Sequence, residues 1–185
     1  MAGRLAAVTR GRVLAIAAAG LFVLVLGVYW FGVRPGSADP HVTVPKLAAT
    51  IGEGDETVGV AGSGALVRWL PLPEEPPLPQ LSLDELPKGG HVRGPALEQV
   101  RVLAAVPDDL RPFVAGSFYG ESGVDVELTT GIEIRFGDAA RARRKWRAAA
   151  AVLADPSVTA LDYVNVVAPN RPTYEGTGHE LPPAP

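Results

Sequence analysis

"GVDVELTTGIEIRFGD", residues 123–138, decides the fold. Apolar side chains alternate with polar ones twice, at Val124, Val126 and Leu128 and again at Ile132, Ile134 and Phe136. A period of two puts each triplet on one face of a strand. Between them Thr129-Thr130-Gly131 is a three-residue loop whose glycine is free to take a positive φ, which predicts an antiparallel hairpin. The register that pairs Leu128 with Ile132 also pairs Val126 with Ile134 and Val124 with Phe136, so all six apolar residues share one face. It sets Asp125 against Arg135, which is favourable, and Glu127 against Glu133, which calls for a cation nearby.

An apolar sheet face needs a cover, and the chain supplies helices on both sides of the hairpin. After it, Asp138 is a good N-cap for a helix over 139–154, stopped by Asp155-Pro156. Ala139, Ala142, Trp146, Ala149, Ala150 and Leu153 form its apolar stripe. Arg141, Arg144, Lys145 and Arg147 take the opposite arc, with Arg143 on the border. Before the hairpin, Pro95 suits a first helical position, and Leu97, Val100, Leu103 and Ala104 recur at helical spacing up to Pro107. "PDDLRPFV" reads as a turn or short helix leading into a strand near Val114–Tyr119.

"ALDYVNVV", residues 160–167, is the expected last strand, with Val164 and Val166 on one face and Tyr163 and Asn165 on the other. Upstream, "TVGVAG" and "ALVRWL" read as short strands around Gly62-Ser63-Gly64. "PLPEEPPLP", residues 71–79, holds five prolines in nine residues and reads as an extended crossing segment, because proline lacks the ladder donor. The predicted fold class is α+β, a mostly antiparallel sheet packed by helices.

The N-terminal part is of another kind. Residues 13–33 contain no charge and, as a helix, match the ~30 Å of a hydrocarbon core. Arg4, Arg10 and Arg12 precede them, no acid occurs before Asp39, and Tyr29, Trp30 and Phe31 stand at the far end. This predicts a single transmembrane helix, N-terminus in the cytoplasm and the rest outside. The alternative is a signal peptide cut near Gly36-Ser37-Ala38, although its apolar core would be unusually long. The predicted organisation is a basic cytoplasmic tail (1–12), the transmembrane helix (13–33), a stalk (34–57), an extracytoplasmic domain (58–168) and a disordered tail (169–185). The stalk carries at most a helical turn around Lys46–Ile51.

Residues 34–185 carry 14 cations against 20 acids, a net charge of −6, which argues against nucleic acid as a partner. There is no cysteine, so the domain stands without disulfides. Chemistry is sparse. His41, His91 and His179 are far apart, and no metal or other cofactor is expected. The glycines of "GVAGSGAL" have neither the spacing nor the strand–helix context of a dinucleotide loop, and Ser63 lacks a nucleophile-elbow frame. Asp84-Glu85 and Asp108-Asp109 read as solvated turns rather than catalytic pairs. No enzyme activity and no small-molecule substrate are expected. The helix cations read as a solvated face forming intramolecular pairs, or as partners for an acidic surface. If "ALDYVNVV" lies at the sheet edge, its free backbone groups can accept a foreign strand, with Tyr163 as an aromatic contact; the proline-rich tail could equally fold back over that edge.

A basic N-terminus, one membrane span, then "VDVELTTGIEIRFGDAARARRKWRAAAAVL" and "LDYVNVVAPNRP" resemble the extracytoplasmic β-domain of the FtsQ/DivIB bacterial cell division family. The family pattern of strand, Gly turn, strand, lysine-bearing helix and last strand looks like Val124–Leu128, Gly131, Ile132–Gly137, Lys145 and Tyr163–Val167. "LPQLSLDELP" resembles the lead-in to that domain, and the likeness spans Leu66 to Pro172. Two departures stand out. The family's POTRA module has no room between the anchor and the domain, and Asn165 and Val167 stand where Asp and Arg are usual. The resemblance implies a membrane-anchored, non-catalytic divisome scaffold that binds FtsB- and FtsL-like ectodomains at the septum. Tyr163, Asn165 and Val167 would then be strand-addition residues, with Arg144 and Lys145 as charge partners. The rival function is a secreted or anchored ligand-binding domain with a cleaved signal peptide.

Overall fold

The computed structural model describes residues 44–83 and 86–183. The basic tail, the apolar span 13–33, the stalk up to residue 43 and the Asp84-Glu85 pair lie outside the described residues. Among the described residues no helix is long and apolar enough to cross a membrane.

The hairpin forms around its turn as the alternation requires. Strand β6 (Gly123–Leu128) pairs antiparallel with β7 (Glu133–Gly137), Val126 against Ile134, Asp125 against Arg135 and Glu127 against Glu133. The Leu128 N–H donates to the Ile132 carbonyl at 2.9 Å, and Gly131 turns the loop at φ 91. One pairing differs: Val124 faces Gly137, not Phe136. Gly137 takes φ 73, which inserts a bulge and frees Phe136 to turn into the core against Trp146, ring centroids 4.8 Å apart. The cation for the facing glutamates is Arg135, paired with Glu133.

Seven further strands extend this pair. They are β1 (Leu47–Ile51), β2 (Val58–Ala61), β3 (Leu66–Val67), β4 (Gln80–Leu81), β5 (Val114–Gly120), β8 (Ala160–Asn165) and β9 (Thr173–Glu180). All nine belong to one sheet, ordered β3-β2-β1-β4-β5-β6-β7-β8-β9. Pairing is antiparallel except for β1–β4, β4–β5 and β7–β8.

Two helices, α1 (Pro95–Ala104) and α2 (Ala142–Leu153), complete the α+β architecture. They pack on the face that carries Val124, Val126, Ile134 and Val164. Trp146 is fully buried between them, and its indole N–H donates to the Val102 carbonyl of α1 at 2.9 Å. Burial of that ring contributes roughly 3 kcal/mol. On the other face, Leu47, Ala61 and Val67 form a second apolar cluster covered by Leu70 and by Leu72 and Leu78 of the proline-rich crossing segment.

Four expectations need correction. The stalk does not run to residue 57: Leu47–Ile51 is strand rather than a helical turn, because Ala48 and Ala49 are small enough to lie buried beneath α1. The tail after 169 is not disordered, since Thr173–Glu180 pairs with β8. Asp138 is not the N-cap: α2 begins at Ala142 behind Arg141, which has φ 56, and the Asp138 carboxylate instead accepts the Ala140 N–H. Finally, Lys145 lies on the buried side of α2 with Ala142, Trp146, Ala149 and Val152.

Candidate functional site

β8 is an interior strand. It runs parallel to β7 on one side and antiparallel to β9 on the other, so its backbone is not open to a foreign strand. The expected strand-addition residues are engaged within the chain. Tyr163 stands between Glu133 and Glu175 in a cross-strand row, and its hydroxyl donates to Glu175 Oε2 at 2.9 Å. That bond lifts the phenol pKa above its usual value. The Arg135 guanidinium lies 3.9 Å from the Tyr163 ring centroid, a cation–π contact. Asn165 Oδ1 accepts the Val167 N–H at 3.1 Å, and Val167 remains exposed. Val166 is buried and donates to the Arg135 carbonyl, so Val166→Pro would break the sheet rather than report on a partner.

The position expected for the β8 edge belongs to β9. β9 pairs only with β8, and seven of its eight residues are exposed, including Tyr174. The opposite sheet edge is different. β3 has two residues, Leu66 donates to the Gly90 carbonyl at 2.8 Å and Ala65 bridges His91, so residues 90–91 already occupy that side. Among the described residues, β9 is the long open edge. "TYEGTGHE" carries no strand signal of its own, having two glycines and no apolar alternation.

The helix cations divide into two groups. Lys145 Nζ donates to the Phe136 carbonyl at 2.8 Å, to the Asp138 carbonyl at 3.0 Å and to Asp138 Oδ1. It ties the end of β7 to α2, holds the Asp138 carboxyl below the usual carboxylate range, and is out of reach of a partner. Its spacing of three from Ala142 and four from Ala149 was the available signal. Arg141, Arg143, Arg144 and Arg147, by contrast, are exposed and make no ion pair among the described residues. Like charges at spacings of three and four disfavour a helix by a few tenths of a kcal/mol per pair, and cations in the first turn oppose its dipole. An acidic surface would relieve both.

The sheet face away from the helices carries one buried carboxyl. Asp125 is 6% exposed, and its Oδ1 has no hydrogen-bond partner. Burial first, and then the neighbouring Glu133 charge, push its pKa to about 6 from 3.8, with Arg135 opposing. An acid raised in this way holds its proton longer folded than unfolded, so stability falls as pH rises from about 4 to about 6 and is level above. Asp125→Asn is expected to be more stable than the parent by about 1 kcal/mol at pH 7.5, the full shift being reduced by the solvated charges beside it. The gain should vanish near pH 3.5, and urea unfolding across that range checks it. An unchanged difference at both ends would refute the assignment.

In comparisons with known proteins, the chain matches no family model, no curated protein and no solved structure.

Proposed function

We propose that this chain is a membrane-anchored, non-catalytic scaffold of the bacterial divisome whose extracytoplasmic domain captures another division protein's ectodomain by strand addition. The observation that carries the reading is the open edge of β9, eight residues at the end of the sheet with pairing on one side only. Backbone groups on such an edge supply affinity to an extended segment, and flanking side chains supply selectivity. The exposed arginines of α2 suit an acidic stretch in the same partner. The apolar span 13–33 and the division-family motifs support the placement at the membrane and the septum. The receiving residues are those of Thr173–Glu180, with Tyr163 bracing Glu175 from behind. Of the charge partners, Arg144 stays and Lys145 is withdrawn.

The Gly178 N–H is turned toward β8, where it meets Asp162, whereas Thr177 has no register partner on β8 and its N–H is left for an incoming strand. Thr177→Pro therefore removes an outward donor and leaves the β8 pairing intact. With the full chain as bait in detergent-solubilised membranes, the parent should recover small single-pass coiled-coil division proteins. Thr177→Pro should recover at least tenfold less at an unchanged melting temperature. Equal recovery by the two would sink strand addition at this edge.

One observation favours the second reading, a ligand-binding domain with a cleaved signal peptide. A groove of about 490 Å³ is lined chiefly by apolar side chains, among them Leu110, Phe113, Leu153, Val158 and Leu181. The mass of the mature chain separates the two: cleavage after Ala38 favours the ligand binder, and an intact N-terminus the scaffold.

A further inference from the structure

Glycines weaken a strand, and β9 carries two near its middle, Gly176 and Gly178. Its pairing with β8 is interrupted there. Tyr163 faces Glu175 and Leu161 faces His179, so Gly176, Thr177 and Gly178 stand opposite the single residue Asp162. Gly176 takes φ 103, a conformation closed to most side chains. Asp162 fills the gap from the other strand: its Oδ1 accepts the Gly178 N–H at 2.8 Å. A Cβ on Gly176 or on Gly178 would overlap the Asp162 carboxyl group. The two glycines are therefore what allows a side-chain carboxylate to replace the missing ladder partner.

A bulge bends a strand and increases its twist, and on an edge it is one way a sheet resists pairing with a copy of itself. β9 otherwise has the makings of an adhesive edge, being long, exposed and paired on one side. We infer that Asp162 determines which strand this edge accepts. By locking the bulge at 176–178 it bends the free edge, so that only a strand that follows the bend can pair along Thr173–Glu180, and it prevents β9-to-β9 pairing between two copies of the chain. The inference concerns the shape of the edge and holds whichever partner uses it.

The test needs the chain alone. The full chain in lipid nanodiscs, read by sedimentation velocity and by amide exchange over 173–180, should be monomeric. Asp162→Ala should speed exchange at Gly178 at least tenfold and tighten self-association at least tenfold. Gly176→Ala, which forces the same clamp open from β9, should do likewise. Asp162→Asn keeps an acceptor oxygen and should stay close to the parent. Thr177→Pro added to Asp162→Ala should restore the monomer, because it removes an outward donor. The inference is overturned if Asp162→Ala and Gly176→Ala stay monomeric while Gly178 exchanges faster. It is equally overturned if Thr177→Pro does not reverse their association, or if the parent already dimerises through β9.

Discussion

Lys145→Ala is expected to cost about 3–5 kcal/mol of stability, from the cavity left by a fully buried side chain and the loss of its charged hydrogen bonds to two carbonyls. Its ammonium satisfies the Phe136 and Asp138 carbonyls and the Asp138 carboxylate together, at the point where β7 ends and the approach to α2 begins. Without it the Phe136 carbonyl keeps only the Asp138 N–H, the Asp138 carbonyl loses the ammonium, and the fully buried Lys145 side chain leaves a cavity. Lys145→Met keeps most of the volume and should lose less, about 1–3 kcal/mol, because Asp138 is exposed enough to turn to water. Urea unfolding separates the two variants. A second readout is the titration of Asp138, whose depressed carboxyl should return toward 3.8 in either variant. In the parent that interaction stabilises fully above this value and fades as the pH falls below it. A loss under 1 kcal/mol with Asp138 unchanged would mean that the ammonium does not hold this corner.

Ending the chain at Pro172 should have an effect of similar size and a sharper functional meaning. The truncation removes β9 and the Leu181 contact with the core. Five cross-strand register pairs are lost. At about 1 kcal/mol net per hydrogen bond, the cost is on the order of 3–5 kcal/mol, a melting point lower by about 10–20 °C. Partner capture by the truncated chain distinguishes two roles for β9. If its outer edge is the receiving surface, capture falls to background. If β9 only plugs the edge of β8, removing it frees Tyr163, Asn165 and the rest of that strand, and capture rises.

How far the sequence could be read depended on which interactions are local. The hairpin was legible because alternation, a three-residue loop and a glycine all act within 16 residues, Val124 alone being displaced by the bulge at Gly137. The helices were legible in place but not in every face. A charge is ordinarily assigned to solvent, and nothing nearby in the chain says that the Phe136 carbonyl waits for Lys145. β1 and β9 were missed for a shared reason. "LAATI" and "TYEGTGHE" lack apolar alternation, and each becomes a strand because the preceding or following segment, β2 for β1 and β8 for β9, presents a ladder to it. The candidate site is the least legible part, since the apolar alternation of β8 marks it as a strand while the edge belongs to the unpatterned segment after it.

The late position of β9 also sets an order of events in time. A chain made from its N-terminus releases β8 before the strand that covers it, and the 15 residues from Asn165 to Glu180 take on the order of 1–3 s to follow at ordinary synthesis rates. For that interval the newborn sheet ends at Tyr163 and Val164, with a row of unmet backbone groups facing outward. Asp162 is already in place when Gly178 arrives, so the clamp that shapes the final edge is waiting before the edge exists.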